Sequence, residues 1–198
     1  MGIARAGTAT SISGLYATGL TGNTRDSNWD IVGRQNGAYV VTSSVGGWMA
    51  NPANGTKWIS YAANPFLANT TYSYTLTFNI AGNGINGDVV NNVAIAMTLA
   101  VDDQATILVN GNLTSLTASG WTQTSTLALN SSNSTFKQGV NTITINVANS
   151  GNGATGLLVS SIGGVVPEVG TWIPVLGGLA TFAWMRFRPR KSALPAAV

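Results

Sequence analysis

Ten residues, TYSYTLTFNI, alternate without a break: Tyr72, Tyr74, Leu76, Phe78 and Ile80 fall on one side, and Thr71, Ser73, Thr75, Thr77 and Asn79 on the other. Period two over that length predicts an extended strand with one face buried and one in solvent. VAIAMTLAV repeats the pattern, with Val93, Ile95, Met97, Leu99 and Val101 facing inward. ATILVNGN reads as a strand entering a tight turn at Asn110-Gly111, a dipeptide suited to positive φ. Ile143, Ile145 and Val147 alternate with Thr142, Thr144 and Asn146, and GLLVSSI reads as the closing strand. GAYVVTS, KWISY and TQTSTLALN are weaker candidates. Roughly seven to nine short strands, spaced by Gly and Asn clusters and with no helical period between them, predict an all-β fold. The expectation is an antiparallel β-sandwich or jelly roll over residues 8–164, with a core buried between two sheets.

The pattern changes near residue 162. Residues 170–185, GTWIPVLGGLATFAWM, carry no charge. As a helix they reach about 24 Å, a little short of the ~30 Å hydrocarbon core of a bilayer. Trp172 and Trp184 stand near either end, where amphipathic rings favour the membrane interface. Arg186, Arg188, Arg190 and Lys191 follow, a cationic stop whose stems can snorkel and which places that end in the cytoplasm. The organisation expected is therefore a disordered 1–7, a sandwich over 8–164, a tail over 165–191 with a single C-terminal transmembrane helix at about 170–185, and a disordered 192–198. A core strand or buried helix with a basic end is the alternative for residues 170–185. The opening, MGIARAGTAT, lacks the apolar run of a secretory signal, so export calls for a leader removed from this sequence or a misassigned start.

Charge is scarce, at 8% of the chain against roughly 25% in ordinary soluble domains. The formal net charge of +3 belongs to the tail. Arg5, Arg25, Arg34, Lys57 and Lys137 are balanced by Asp26, Asp30, Asp88, Asp102 and Asp103, which leaves the four tail cations against Glu168. A sequence pI of about 9.5 is thus no sign of a nucleic-acid interface. Cysteine and histidine are both absent. Their absence removes disulfides, thiolate metal sites, Ser-His-Asp triads and histidine-based zinc hydrolysis, leaving only carboxylate chemistry.

The segment VPEVGTWIPVLGGLATFAWMRFRPRK resembles the PEP-CTERM sorting signal of Gram-negative bacteria. Val166, Pro167 and Glu168 match its Val-Pro-Glu-Pro motif, with Val169 in place of the second proline, and Gly170, Thr171 and Trp172 fall where Ser-Thr-Trp is common. The resemblance covers the last thirty or so residues. It implies export, transient anchoring in the inner membrane, processing by an exosortase, and delivery to the cell surface or a biofilm matrix. In the body, SNWDIVG, AYVVTSSVGGWMANPANGTKWIS, the DDQATILVNGN hairpin and FKQGVNTITINVANSGNGATGLLV look like pieces of a domain often attached to such tails, and the hairpin and the last piece together are similar to galactose-binding-like jelly rolls of carbohydrate-associated proteins. That similarity implies secretion into, or display upon, a polysaccharide-rich envelope or biofilm matrix.

Six tryptophans in so polar a chain invite a sugar-binding reading. An aromatic face can cover the apolar face of a pyranose while Asn and Asp hydrogen-bond its hydroxyls. The candidates are Trp29, Trp48, Trp58, Tyr61 and Trp121, with Asn28, Asn51, Asn54 and Asn64 nearby in sequence; packing of core or loops is the competing role for each. Asp102 and Asp103 precede the hairpin strand and are candidates for a structural calcium, which takes six to eight oxygens; solvated turn aspartates are the competing reading. In an extended chain these neighbours would point to opposite faces and would not pair as glycosidase carboxylates. Asn54, Asn69, Asn112, Asn130 and Asn133 open N-glycosylation acceptor triplets, which chance supplies in a chain rich in Asn and Thr. The functional expectation is a non-catalytic exported protein with polysaccharide as its candidate partner. A self-associating structural protein is the alternative, and a carboxylate glycosidase a more distant one.

Overall fold

The alternation at residues 71–80 is realised as a ten-residue strand whose burial switches at every step: Tyr72, Tyr74, Leu76, Phe78 and Ile80 are buried, while the residues between them are half-buried or exposed. The computed structural model describes residues 10–21, 24–34, 36–81 and 86–167. Among them the strands are β1 (Thr10–Ser11), β2 (Arg25–Asp26), β3 (Trp29–Ile31), β4 (Ala38–Val40), β5 (Ile59–Ser60), β6 (Thr71–Ile80), β7 (Val89–Val90), β8 (Ala94–Asp102), β9 (Gln104–Val109), β10 (Asn112–Ser119), β11 (Ser125–Asn130), β12 (Phe136–Lys137), β13 (Gly139–Ala148) and β14 (Gly156–Val166). Five of these fourteen are only two residues long, so nine carry the architecture.

Two antiparallel sheets face each other. One has the order β11-β8-β14-β5-β4-β2, with β1 added beside β14; the other has the order β10-β9-β13-β6-β3; β7 and β12 form a small separate ribbon. The longest ladder joins β6 to β13 over ten residue pairs, from Thr71↔Ala148 to Ile80↔Gly139. Its register sets Tyr74 opposite Ile145 and Leu76 opposite Ile143, so two apolar faces coincide. Ile95, Met97 and Leu99 of β8, Leu129 of β11 and Leu157 and Val159 of β14 meet them from the opposite sheet, all 0–2% exposed. At ~25 cal/mol per Å² of apolar surface removed from water, this core is the main stabilising term.

Several expectations meet the structure in altered form. The closing strand runs on to Val166, whose partner is Thr10, so the first residue of the Val-Pro-Glu motif belongs to the sheet. β10 had no sequence signal because its pairing with β9 shifts register between Leu113 and Thr117. The shift breaks period two, leaving Leu113 in solvent and Thr114 buried with its hydroxyl donating to Ile107 O at 2.9 Å. Among the described residues no helix is long and apolar enough to cross a membrane. Residues 170–185, with Glu168, Trp172, Trp184, Arg186, Arg188, Arg190 and Lys191, lie outside the described residues, as do the segments 1–7 and 192–198.

The burial pattern of β13 yields a direct test. Ile145→Ala removes a fully buried side chain and is expected to cost about 2–5 kcal/mol in chemical denaturation, against under about 1 kcal/mol for Thr144→Ala on the opposite face. Equal losses would contradict a strand with one buried face.

Candidate functional site

The strand registers bring four connections to one end of the sandwich. Gly156 stands opposite Asp102, Ala148 opposite Gln104, Ser119 opposite Gln104, Thr71 opposite Ala148 and Leu157 opposite Ile59. The β8–β9 turn, the β10–β11 loop, the β13–β14 loop and the β5–β6 loop therefore share that end. The loop between β4 and β5 folds over the outer face of the β8–β14 sheet, where Ala100 and Leu158 point outward and are buried by Val41, Val45, Trp48, Met49 and Trp58. This small second core explains why β8 and β14 are buried on both faces here.

Trp48 and Trp58 stack with ring centroids 4.2 Å apart and a tilt of 31°. The Trp58 indole N–H donates to Met49 O at 3.1 Å, and the Trp48 indole N–H donates to Asp102 Oδ2 at 2.6 Å. Trp48 lies directly on Gly156, where a Cβ would come within 2.6 Å of the ring, so only glycine permits the contact. Beside this stack Trp121 stands 37% exposed. Its carbonyl accepts from Met49 N–H at 2.7 Å, and its indole nitrogen lies 3.4 Å from where a Gly47 Cβ would be. The Trp121 backbone is thereby anchored while part of its ring stays open.

The other aromatic candidates are placed differently. Trp29 is 0% exposed, its indole N–H donating to Tyr16 O at 2.9 Å, and it fills the core where no ligand reaches it. Trp58, at 3% exposure, is likewise a packing residue. Tyr61 is half-buried, packed against Tyr72 at 5.0 Å and covered by the Arg34 guanidinium at 4.0 Å, so its faces are already used. Asn51 and Asn54 serve the backbone of the β4–β5 loop: Asn51 accepts from Trp58 N–H, Asn54 accepts from Thr56 and donates to Ser160 O. Phe66, exposed in the β5–β6 loop at the same end, was not a candidate, since a lone Phe between Pro65 and Leu67 gives no signal of exposure.

Asp102 and Asp103 do not diverge as extended neighbours would. Residue 103 lies between the strands, and the two carboxyls come within hydrogen-bonding reach of each other. Burial, then the hydrogen bond with Asp103, pushes the Asp102 pKa up to about 6. Burial alone would also raise Asp103, but hydrogen bonds from Asp102 and from Ser150 outweigh it and hold that carboxyl below its ordinary value. Both Ser150 N–H and Ser150 Oγ–H donate to Asp103 Oδ2. Below about pH 6 the pair shares a proton, as expected for two acids side by side. Glycosidase carboxylates stand about 5–10 Å apart, and this pair is too close for that chemistry. Of the two calcium candidates, Asp102 accepts from the Trp48 indole and Asp103 from Ser150, and among the described residues no group of three His, Cys, Asp or Glu side chains gathers. Asp26 is a structural carboxylate elsewhere, buried and accepting from Gly19 N–H, Thr21 Oγ1 and Asn28 N–H.

No family model and no curated protein matches the chain. Among solved structures, a family 35 carbohydrate binding module from Clostridium thermocellum is similar at 14% identity and a TM-score of 0.41, over 81% of this chain and 99% of that one. TmCBM61 in complex with β-1,4-galactotriose is similar at 14% identity and a TM-score of 0.42, over 73% of this chain and 92% of that one. An exo-β-1,3-galactanase from Phanerochaete chrysosporium is similar at 16% identity and a TM-score of 0.33, over 79% of this chain but 29% of its own. At such scores and identities the resemblance assigns no ligand to this chain.

The carboxyl pair sets a pH dependence. A carboxyl whose folded pKa is raised contributes stability that is complete below 3.8 and is lost as pH rises through about 6. Asp103, lowered, acts oppositely, its contribution present above 3.8 and lost on acidification below it. With no histidine in the chain, little else titrates between pH 5 and 7. Denaturation midpoints across that window are expected to fall for the parent chain by an equivalent on the order of 1 kcal/mol, allowing for partial solvent screening. Asp102→Asn, which keeps an acceptor for Trp48 and a donor for Asp103, is expected to flatten the slope; an unchanged slope would remove the shared proton from the account.

Proposed function

We propose that the sandwich is a non-catalytic glycan-binding module, and that the chain is an exported protein sorted by its PEP-CTERM-like tail. The observation that carries the binding reading is Trp121. An indole on a backbone anchored to Met49 and lying over Gly47, part of its ring open, at a loop end dense in Asn, Ser and Asp groups, supplies the apolar surface that a pyranose face covers. The absence of histidine and cysteine and the closeness of Asp102 to Asp103 support binding without hydrolysis.

The sorting reading rests on residues. Val166, Pro167 and Glu168 are the recognition motif for an exosortase; residues 170–185, with Trp172 and Trp184, are the inner-membrane span; Arg186, Arg188, Arg190 and Lys191 are its cytoplasmic stop. Processing near Pro167 releases the module to the cell surface or matrix.

A second reading, self-association without a glycan, is favoured by one observation. β10 and β11 each form one edge of their sheets, and neither contains Lys, Arg, Asp, Glu or Pro, the residues that usually protect such edges.

Retention of the full chain on a panel of insoluble polysaccharides tests the binding reading. Trp121→Ala is expected to weaken retention roughly tenfold with the circular dichroism spectrum unchanged. Undiminished retention would remove Trp121 from the site, and filaments growing with concentration in the absence of glycan would favour the second reading. For sorting, a chain ending at Pro167 is expected to leave the membrane fraction in which the full chain is held; identical partitioning would refute the tail's role.

A further inference from the structure

The β10-β9-β13-β6-β3 sheet has an outer face that neither the core nor the aromatic end uses. Its registers align polar side chains in rows that cross the strands. One row runs Ser73, Asn146, Thr106, Thr117; the next runs Thr71, Ala148, Gln104, Ser119. Between them lies a shallow groove of about 500 Å³, lined by Thr71, Gln104, Thr106, Thr117, Ser119 and Asn146, with alanines between. No ionisable side chain and no aromatic ring lines it.

Three properties separate this groove from an ordinary wet sheet face. Its polar groups are fixed, because the strands beneath are anchored by buried Ala105, Ile107, Ala118 and Val147, and threonine is stiff at χ1. Its hydrogen-bonding capacity is open. Ser73 Oγ donates to Asn146 Oδ1 at 2.7 Å, leaving the Asn146 amide free to donate, and the side chains of Thr71, Gln104, Thr106, Thr117 and Ser119 make no hydrogen bond within the protein among the described residues. Finally, it lacks the Lys and Glu that solvent-facing strands normally carry.

From this we infer that the groove is a second glycan subsite, taking a neutral, extended polysaccharide segment laid across the strands. The inference rests on the glycan-binding reading and adds the chemical class of the ligand. Hydroxyls and carboxamides both donate and accept, which matches sugar hydroxyls and no ion. Across the strands these groups recur every ~4.8 Å, close to the length of one pyranose residue, so successive sugars meet equivalent partners. An acidic glycan would bring uronates to a lining that offers no cation. Thr and Ala methyls supply the modest apolar contact, and the missing aromatics make this subsite weaker than the Trp121 end.

Affinity electrophoresis of the full chain through gels containing galactomannan, hydroxyethylcellulose or polygalacturonate tests the inference. The double variant Thr106→Val/Thr117→Val keeps side-chain shape and strand preference and removes only two hydroxyls. It is expected to weaken retardation by a neutral polymer about tenfold, as two lost hydrogen bonds imply. Polygalacturonate is expected to retard neither chain. Retardation lost in Trp121→Ala but untouched in the double valine variant overturns the groove and leaves the binding module standing. No retardation of the parent chain by any polymer overturns both. Stronger retardation by polygalacturonate than by the neutral polymers, or a change in sedimentation rather than in retardation on the valine substitutions, also overturns the groove, the latter in favour of contact between copies.

Discussion

The ten-pair ladder between β6 and β13 is the constraint from which the rest of the molecule follows. Its register leaves one side of both strands apolar, save for Gly139 and the buried Asn141, and the other Thr, Ser and Asn, save for Val140 and Ala148. A slip by one residue would exchange those faces, burying hydroxyls and exposing Tyr74, Leu76, Ile143 and Ile145. The cost of that exchange specifies the register, and the opposite sheet is then placed by what it must cover. Chemistry is correspondingly pushed outward, to loops at the ends and to the polar outer face.

At the aromatic end, sequence-distant segments are tied by few but specific bonds. Trp48 from the β4–β5 loop reaches Asp102 at the end of β8, Asp103 reaches Ser150 before β14, and Trp121 is fastened to Met49. Each bond joins loops whose positions the sheets have already set, so binding surfaces here need little ordering when a ligand arrives.

The strands with uninterrupted alternation were legible from the sequence alone. Residues 71–80 match the expected strand at both ends, β8 and β13 fall where their inward residues pointed, and β9 and β11 overlap ATILVNGN and TQTSTLALN. Legibility fails where a second influence enters. β10 is hidden by its register shift, and β14 extends beyond its apolar run because β1 pairs with its last two residues. Among the tryptophans, composition flags all equally, whereas exposure depends on partners far away in sequence: Trp29 is sealed beside β6, Trp58 is stacked under Trp48, and Trp121 keeps 37% of its surface open. The proximity of Asp102 and Asp103 escaped because alternation holds within strands, and residue 103 belongs to none. The groove on the outer face escaped because each of its rows is assembled from four strands, and no single stretch contains it.

The pairing of Thr10 with Val166 has a consequence for display. Chain entry and chain exit of the sandwich sit together, beside Ala94, whereas the tryptophan end lies at Gly156, the other extremity of β14. Eleven extended residues separate them, about 35 Å. A module fastened by either terminus to any support would hold its indoles out at arm's length, like a lamp whose flex and stand share one base.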